Sequence, residues 1–136
     1  GIMAAESSRQ PNMAKTNNSV KMFADKGAGD IYETLMSKAK ASSGPRSVVE
    51  DPKQTCVHIT AGKDGTAFAG AHSRKDAVLL NIRVASPIKS KRMRKVEQIS
   101  ANRYVCEMLL TNNSDIDAEV LDWMRAAHEL ASSRKR

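Results

Sequence analysis

The residues with the clearest chemical potential form a basic run in the segment SPIKSKRMRKVEQISANR, residues 86–103. This segment carries six bases against one acid, Glu97, so its net charge is +5, while the whole chain has a net charge of +7. A concentrated positive charge attracts phosphate groups or acidic partners. The candidate anion- or nucleic-acid-binding residues are Lys89, Lys91, Arg92, Arg94, Lys95 and Arg103.

A solvated connection is the simpler interpretation of the same basic segment. If the segment is extended, its lysines point one way and Arg92 and Arg94 the other, so the charge is divided between two faces. Arg92 and Arg103 could also be structural, pairing with acids of the C-terminal helix or covering a sheet edge. Because Tyr104 is the only aromatic residue near the segment, we expect any nucleic-acid binding to be weak and directed at the phosphate backbone.

Thiol and imidazole groups are the other candidates for chemistry. Cys56 and His58 are two positions apart in a strand-like run, so they share a face, and Cys106 could lie on a neighbouring strand. A dyad is geometrically possible, but no third group orients it, and both cysteines are predicted to be small buried hydrophobic residues. The cysteines and histidines lack metal-ligand spacing, and the glycines fit no phosphate loop. We therefore expect neither a metal nor a cofactor.

Four strands would position these side chains. Residues 55–61, 66–72 and 77–85 are rich in β-branched or alternating apolar residues and are separated by short turns, which predicts an antiparallel meander. The basic segment then serves as a long crossover. A fourth strand is predicted over residues 103–111, where alternate residues are apolar.

One helix is predicted before the four strands in the chain, and another is predicted after them. The first begins at Asp30, with Glu33 completing a capping box, and ends at the Ser-Ser-Gly-Pro sequence that starts at residue 42, which leaves residues 43–54 as a linker. The second begins at Ser114, whose hydroxyl is expected to cap it, and Trp123 is expected to anchor the core. Its predicted apolar face consists of Ile116, Val120, Trp123, Ala127 and Leu130.

Together these elements predict an α+β domain in which a four-stranded, mainly antiparallel sheet packs against an N-terminal and a C-terminal helix. A length of 136 residues suits one domain, assigned to residues 29–132. Residues 1–28 are predicted to be a flexible tail, because they lack a periodic apolar face, and Gly1-Ile2 is interpreted as a cloning remnant. Residues 133–136 form a basic tail. Without a secretory or membrane-spanning pattern, a cytoplasmic protein with no membrane partner is expected.

Several motifs occur in a fixed order between residues 66 and 131: a small-residue strand, an apolar strand, a Pro-Ile-x-Ser-x-Arg crossover, an arginine–aromatic pair and a helix with acids in its first turn. They contain Phe68, His72, Lys75, Pro87, Ile88, Ser90, Arg92, Arg103, Tyr104, Ser114, Ile116, Asp117, Glu119, Trp123 and Ala127. This order resembles a bacterial family known only as domain of unknown function 5655. The resemblance implies a small α+β domain without established activity or catalytic residues. Members have a His after the arginine–aromatic pair, where this chain has Cys106 and Glu107.

Three functions remain open from the sequence, which contains no catalytic motif. The first is a non-enzymatic binding or accessory module whose partner is nucleic acid or an acidic protein. The second is a small enzyme or ligand-binding domain with a pocket between sheet and helices. The third is a structural domain that binds other proteins. A continuous positive surface would favour the first, a pocket the second, and a large exposed apolar patch the third.

Overall fold

Six β-strands form one sheet in the computed structural model, which describes residues 21–63 and 65–133. The strands are β1 (Val48–Pro52), β2 (Cys56–Ala61), β3 (Ala67–Arg74), β4 (Ala77–Val84), β5 (Lys95–Ser100) and β6 (Arg103–Leu110). Their order across the sheet is β1-β2-β3-β4-β6-β5, and every neighbouring pair is antiparallel. β1 and β5 are therefore the two edge strands.

The α+β class, the antiparallel sheet and the meander of β2, β3 and β4 are confirmed, but the prediction of four strands was wrong. β1 lies inside the predicted linker, residues 43–54, because the two prolines in this segment argued against a strand. Pro52 is tolerated because it is the last residue of an edge strand. β5 lies inside the predicted basic crossover, and all six of its residues are exposed. Without a buried face a strand has no apolar alternation for the sequence to display.

The first long helix, α1 (Gly29–Ser43), begins differently from the prediction. Its N-cap is Ala28, which provides no side-chain hydrogen bond, so the predicted capping box of Asp30 and Glu33 was wrong. Asp30 still lies in the first turn, where a negative charge suits the helix dipole. The end of the helix is as predicted: Gly44, at a φ of 101°, donates its N–H to the Lys40 carbonyl.

The second helix, α2 (Ala118–Ser133), begins four residues later than predicted. Ser114 lies in a 3₁₀ turn, Asn113–Asp115, and its hydroxyl donates to the Asn112 side chain. The capping group is instead Asp117, whose Oδ1 accepts from the Val120 N–H at 3.2 Å. The sequence favoured Ser114 because a serine before an acidic turn suits a cap, but Asp117 directly precedes the first helical residue, Ala118, and lies three residues closer to it than Ser114 does.

The predicted apolar face of α2 is rotated by one position. Ile116, Val120 and Ala127 are buried as expected, and Met124 and Ala131 complete the buried face. Trp123 and Leu130 lie beside it and are half-buried. Trp123 packs against the core from its margin rather than anchoring its centre.

Both helices pack on the same face of the sheet, called here the helix face. Its central side chains are at most 1% exposed: Val57, Ile59, Ala69, Ala71, Leu80, Ile82, Cys106 and Met108. The opposite face, called here the open face, is covered by neither α1 nor α2, and most of its side chains are half-buried or exposed. Cys56 and Cys106 are both buried and unbonded, which confirms their predicted packing role.

The packed structure includes residues that the sequence assigned to the N-terminal tail. Phe23 and Ala28 are fully buried, and the Phe23 ring stacks on Tyr32 of α1 with centroids 4.1 Å apart. Residues 1–20 of that predicted tail, and residues 134–136 of the predicted basic tail, lie outside the described residues. Among the helices that the structure describes, none combines the length and apolarity needed to cross a membrane.

Candidate functional site

Arg92, the centre of the predicted basic segment, is held by the start of α2. Its Nη1 lies 3.1 Å from Asp117 Oδ1 and 3.0 Å from Glu119 Oε1, and its Nη2 donates to the Asp115 carbonyl at 2.7 Å. The guanidinium carbon also lies 5.9 Å from the centroid of the Trp123 ring. The structural alternative for Arg92 is therefore the observed one: it joins the crossover to α2.

The ion pairs of Arg92 shift the pKa values of both Arg92 and Asp117. Desolvation opposes the charge on Arg92, but the hydrogen bonds that it donates to the Asp117 and Glu119 carboxylates outweigh this effect, so the pKa of Arg92 lies above its ordinary value. Desolvation likewise opposes ionisation of Asp117, yet the Arg92 and Val120 hydrogen bonds hold its pKa below the usual range. Because two carboxylates already balance its charge and accept its hydrogen bonds, Arg92 should attract an external anion only weakly.

The other predicted basic residues are distributed over the loop before β5, β5 itself and β6. Lys89 and Lys91 are exposed in the loop before β5. Lys95 begins β5 opposite Glu107 of β6 and lies 3.8 Å from Glu97, whereas Arg94 is exposed in the bend just before the strand. Arg103 is four residues from Glu107 along β6, which places it roughly 13 Å away along the strand.

A row of polar side chains crosses the open face, and the sequence analysis missed it. Strand pairing places one residue from each strand in register. In the order of the sheet these residues are Asp51, His58, Gly70, Asn81, Glu107 and Lys95. A signal was present in the sequence, because Asn81 and Glu107 interrupt the most apolar strands, but their alignment depends on a register that only the fold reveals.

Gly70 leaves the centre of this polar row open. A Cβ atom built on Gly70 would lie 2.9 Å from the Asn81 Nδ2 atom, so the Asn81 amide leans over the glycine. The lean brings the amide toward His58, which is directly opposite Gly70 on β2. The lack of a side chain at Gly70 thus allows the Asn81 amide to lie close to the backbone of β3.

Two histidines of the open face have lowered basicity. Burial is the main reason why the pKa of His58 lies below its ordinary value, and Arg83 lowers it further. Burial again comes first for His72, whose pKa is also lowered by Arg74. In each case a nearby carboxylate opposes the change. Both imidazoles are therefore kept in the neutral form at neutral pH.

We expect these histidines to make the fold less stable in mild acid. As the pH falls through about 6.5, the unfolded chain takes up protons on His58 and His72 before the folded chain does. The free energy of unfolding should therefore decrease from about pH 7 to about pH 5. Urea unfolding at both pH values tests this in the wild type and in a His58→Gln, His72→Gln variant. The variant should lose less stability over the interval, and an equal loss in both proteins would contradict the assignment.

The thiol–imidazole dyad considered from sequence does not form. Cys56 lies directly opposite His72 on the open face, but Cys106 faces the helices. No hydrogen bond joins Cys56 to a histidine among the described residues. Similarly, the part of the chain described by the structure holds no group of three or more potential metal ligands.

A cavity of about 330 Å³ opens at one end of the sheet, beside the last turns of α2. It exists because β3 separates from β4 there: pairing of the two strands stops at Ala69 and Ile82, while Ala67 continues only along β2. The cavity is lined by Thr66, Ala67, Phe68, Arg83, Ile99, Arg103, Tyr104, Val105, Ala127, Leu130 and Ala131. Most of these side chains are apolar, and the two arginines supply its charge.

Arg83 and Arg103 differ from Arg92 in having no carboxylate to neutralise them. Within residues 21–63 and 65–133, neither forms an ion pair, and Arg103 donates only to the adjacent Asn102 carbonyl. Arg83 is paired in register with Val105, two residues from Arg103, so the two arginines are diagonal neighbours on adjacent strands. Such positions are roughly 7–8 Å apart, close enough for long side chains to reach one anion.

The chain is matched over residues 20–131 by the family model described as "Domain of unknown function (DUF5655)". This range covers most of the 136 residues, so the chain belongs to that family, as the motif order predicted. No curated protein and no solved structure matches the chain significantly.

Proposed function

We propose that this member of the domain of unknown function 5655 family is a non-enzymatic binding module that holds an anionic ligand between Arg83 and Arg103. The observation that carries the proposal is the pair of un-neutralised guanidinium groups at a mainly apolar cavity. Guanidinium groups bind carboxylate or phosphate oxygens in bidentate geometry. The charge sits where a ligand would be partly removed from water, which strengthens each hydrogen bond.

The composition of the cavity supports binding rather than catalysis. Among the described lining residues there is no carboxylate, imidazole or thiol, the groups that most often perform acid–base or nucleophilic steps. Phe68, Ile99 and Leu130 offer apolar contact area instead. The ligand class that fits is an organic anion with a compact apolar body, and the volume of about 330 Å³ is at the small end of ligand pockets.

The affinity of the protein for benzoate tests this proposal. Benzoate carries a carboxylate on an apolar ring, benzyl alcohol keeps the ring without the charge, and acetate keeps the charge without the ring. In NMR titrations we expect benzoate to bind best and to shift amide signals around the cavity. An Arg83→Gln, Arg103→Gln variant should bind benzoate at least about tenfold more weakly, because each lost charged hydrogen bond is worth about 1.5–3 kcal/mol.

A matched control separates the cavity from the predicted basic segment. Lys89→Gln with Lys91→Gln removes the same two positive charges from the exposed loop and should leave benzoate affinity within about twofold. If the loop variant weakens binding as much as the arginine variant, the attraction is a general effect of net charge. If benzoate does not bind at millimolar concentration, the proposed ligand class is wrong.

Nucleic acid is the second candidate ligand, and the exposure of Lys89, Lys91 and Arg94 favours it. Their charges are not balanced by ion pairs within the described residues. Binding of this kind should weaken steeply with salt and should be reduced by the loop variant rather than by the arginine variant. The same pair of variants, titrated with a labelled oligonucleotide, therefore assigns each ligand to its surface.

A further inference from the structure

The two edges of the sheet are unequally protected. At β1, the Glu50 side chain accepts hydrogen bonds from Tyr32 and Lys40 of α1, and Pro52 removes one backbone donor. At β5, by contrast, all six residues are exposed. Val96 is 42% exposed and Ile99 is 58% exposed, and they are the large hydrophobic residues with the greatest exposure in the described part of the chain. An uncovered edge strand offers unpaired N–H and C=O groups to another strand.

We propose that β5 is a self-association surface, through which two copies of this chain pair as antiparallel edge strands about a two-fold axis at Val96. Residues directly opposite in antiparallel strands lie on the same face of a sheet. A two-fold axis therefore pairs positions that differ by an even number. Centring the axis on Val96 places Val96 opposite its own copy and Lys95 opposite Glu97 of the second copy, twice.

Charge complementarity selects this register over its neighbours. An axis at Glu97 would place two Glu97 side chains opposite each other, which is destabilising. An axis at Gln98 would place Glu97 opposite Ile99 and leave Lys95 without an opposing carboxylate from the second copy. Only the axis at Val96 puts opposite charges of the two copies together. Lys95 and Glu97 already lie 3.8 Å apart within one strand, but their side chains are 63% and 56% exposed, so each can also contact its counterpart in the second copy. Pairing would extend the six-stranded sheet across both copies.

Charge reversal tests the register with sedimentation velocity over a wide protein concentration range. A six-residue edge buries little surface, so the wild type should dimerise weakly and in a concentration-dependent way. Lys95→Glu alone, or Glu97→Lys alone, puts like charges opposite each other at both symmetric positions and should raise the dimer dissociation constant about tenfold. The double variant Lys95→Glu, Glu97→Lys restores opposite charges and should restore the wild-type constant.

Disulfide trapping gives a second, independent measurement. In the proposed register the two Val96 positions are opposed within disulfide range, whereas the two Gln98 positions are separated by roughly 13 Å along the strands. Val96→Cys should therefore cross-link with diamide at least about tenfold faster than Gln98→Cys, whose side chain lies on the same face. A wild type that remains monomeric at every concentration would overturn the proposal, because Lys95 would then be protecting the edge. Equal cross-linking rates would overturn the register.

Discussion

Replacing Phe23 with alanine is expected to lower the free energy of unfolding by about 3–5 kcal/mol. The ring is fully buried and stacks on Tyr32, which is itself only 1% exposed, with the ring planes 6° from parallel. The change would remove both the transfer free energy of the ring and its aromatic contact, and it would leave a cavity between the N-terminal segment and α1. Urea unfolding of both proteins measures the loss.

The neighbouring residue Asp25 provides the control for this prediction. Asp25 is exposed, and among the described residues its ion pair is with Lys21, four positions earlier, so Asp25→Ala should change stability by no more than about 0.5 kcal/mol. A loss below about 1 kcal/mol for Phe23→Ala would show that residues 21–28 do not pack on α1 in solution. The boundary of the domain would then lie near residue 29, where the sequence placed it.

The elements that the sequence predicted well are those with one buried face. β4 alternates Val78, Leu80, Ile82 and Val84 toward the helices, and all four are buried; the intervening residues become less buried only in the second half of the strand, at Asn81 and Arg83. The edge strands β1 and β5 were missed because an edge needs few buried residues, and β5 has none. Amphipathic pattern reports the contact between a strand and its core, so a strand without such a contact leaves little trace in the sequence.

The candidate site was predictable only in part, for a similar reason. Arg92 and Arg103 were both singled out, but composition could not separate an arginine that is neutralised by α2 from one that faces a cavity. Arg83 was missed because it lies twenty residues before Arg103 in the chain, and only the pairing of β4 with β6 makes them neighbours. Charge density along the sequence is thus a poor guide to charge density on a folded surface.

Leu80→Ala should destabilise the protein by about 2–5 kcal/mol, toward the upper end of that range, because Leu80 is fully buried on the helix face of the central strand β4. Leu109→Ala makes the same chemical change on the open face, at a half-buried position of β6, and should cost about 1 kcal/mol, since less surface is returned to water. The two positions are on paired strands, so differences in strand propensity are small.

The ratio of the free energies of unfolding lost in Leu80→Ala and Leu109→Ala measures, in solution, how much the two faces of the sheet differ in burial. A small loss for Leu109→Ala means that the open face around Leu109 is accessible to water. If Leu109→Ala costs as much as Leu80→Ala, that part of the open face is covered in the native protein. Chemical denaturation of the two variants under the same conditions, with unfolding slopes compared to confirm an unchanged exposed area, decides between these outcomes.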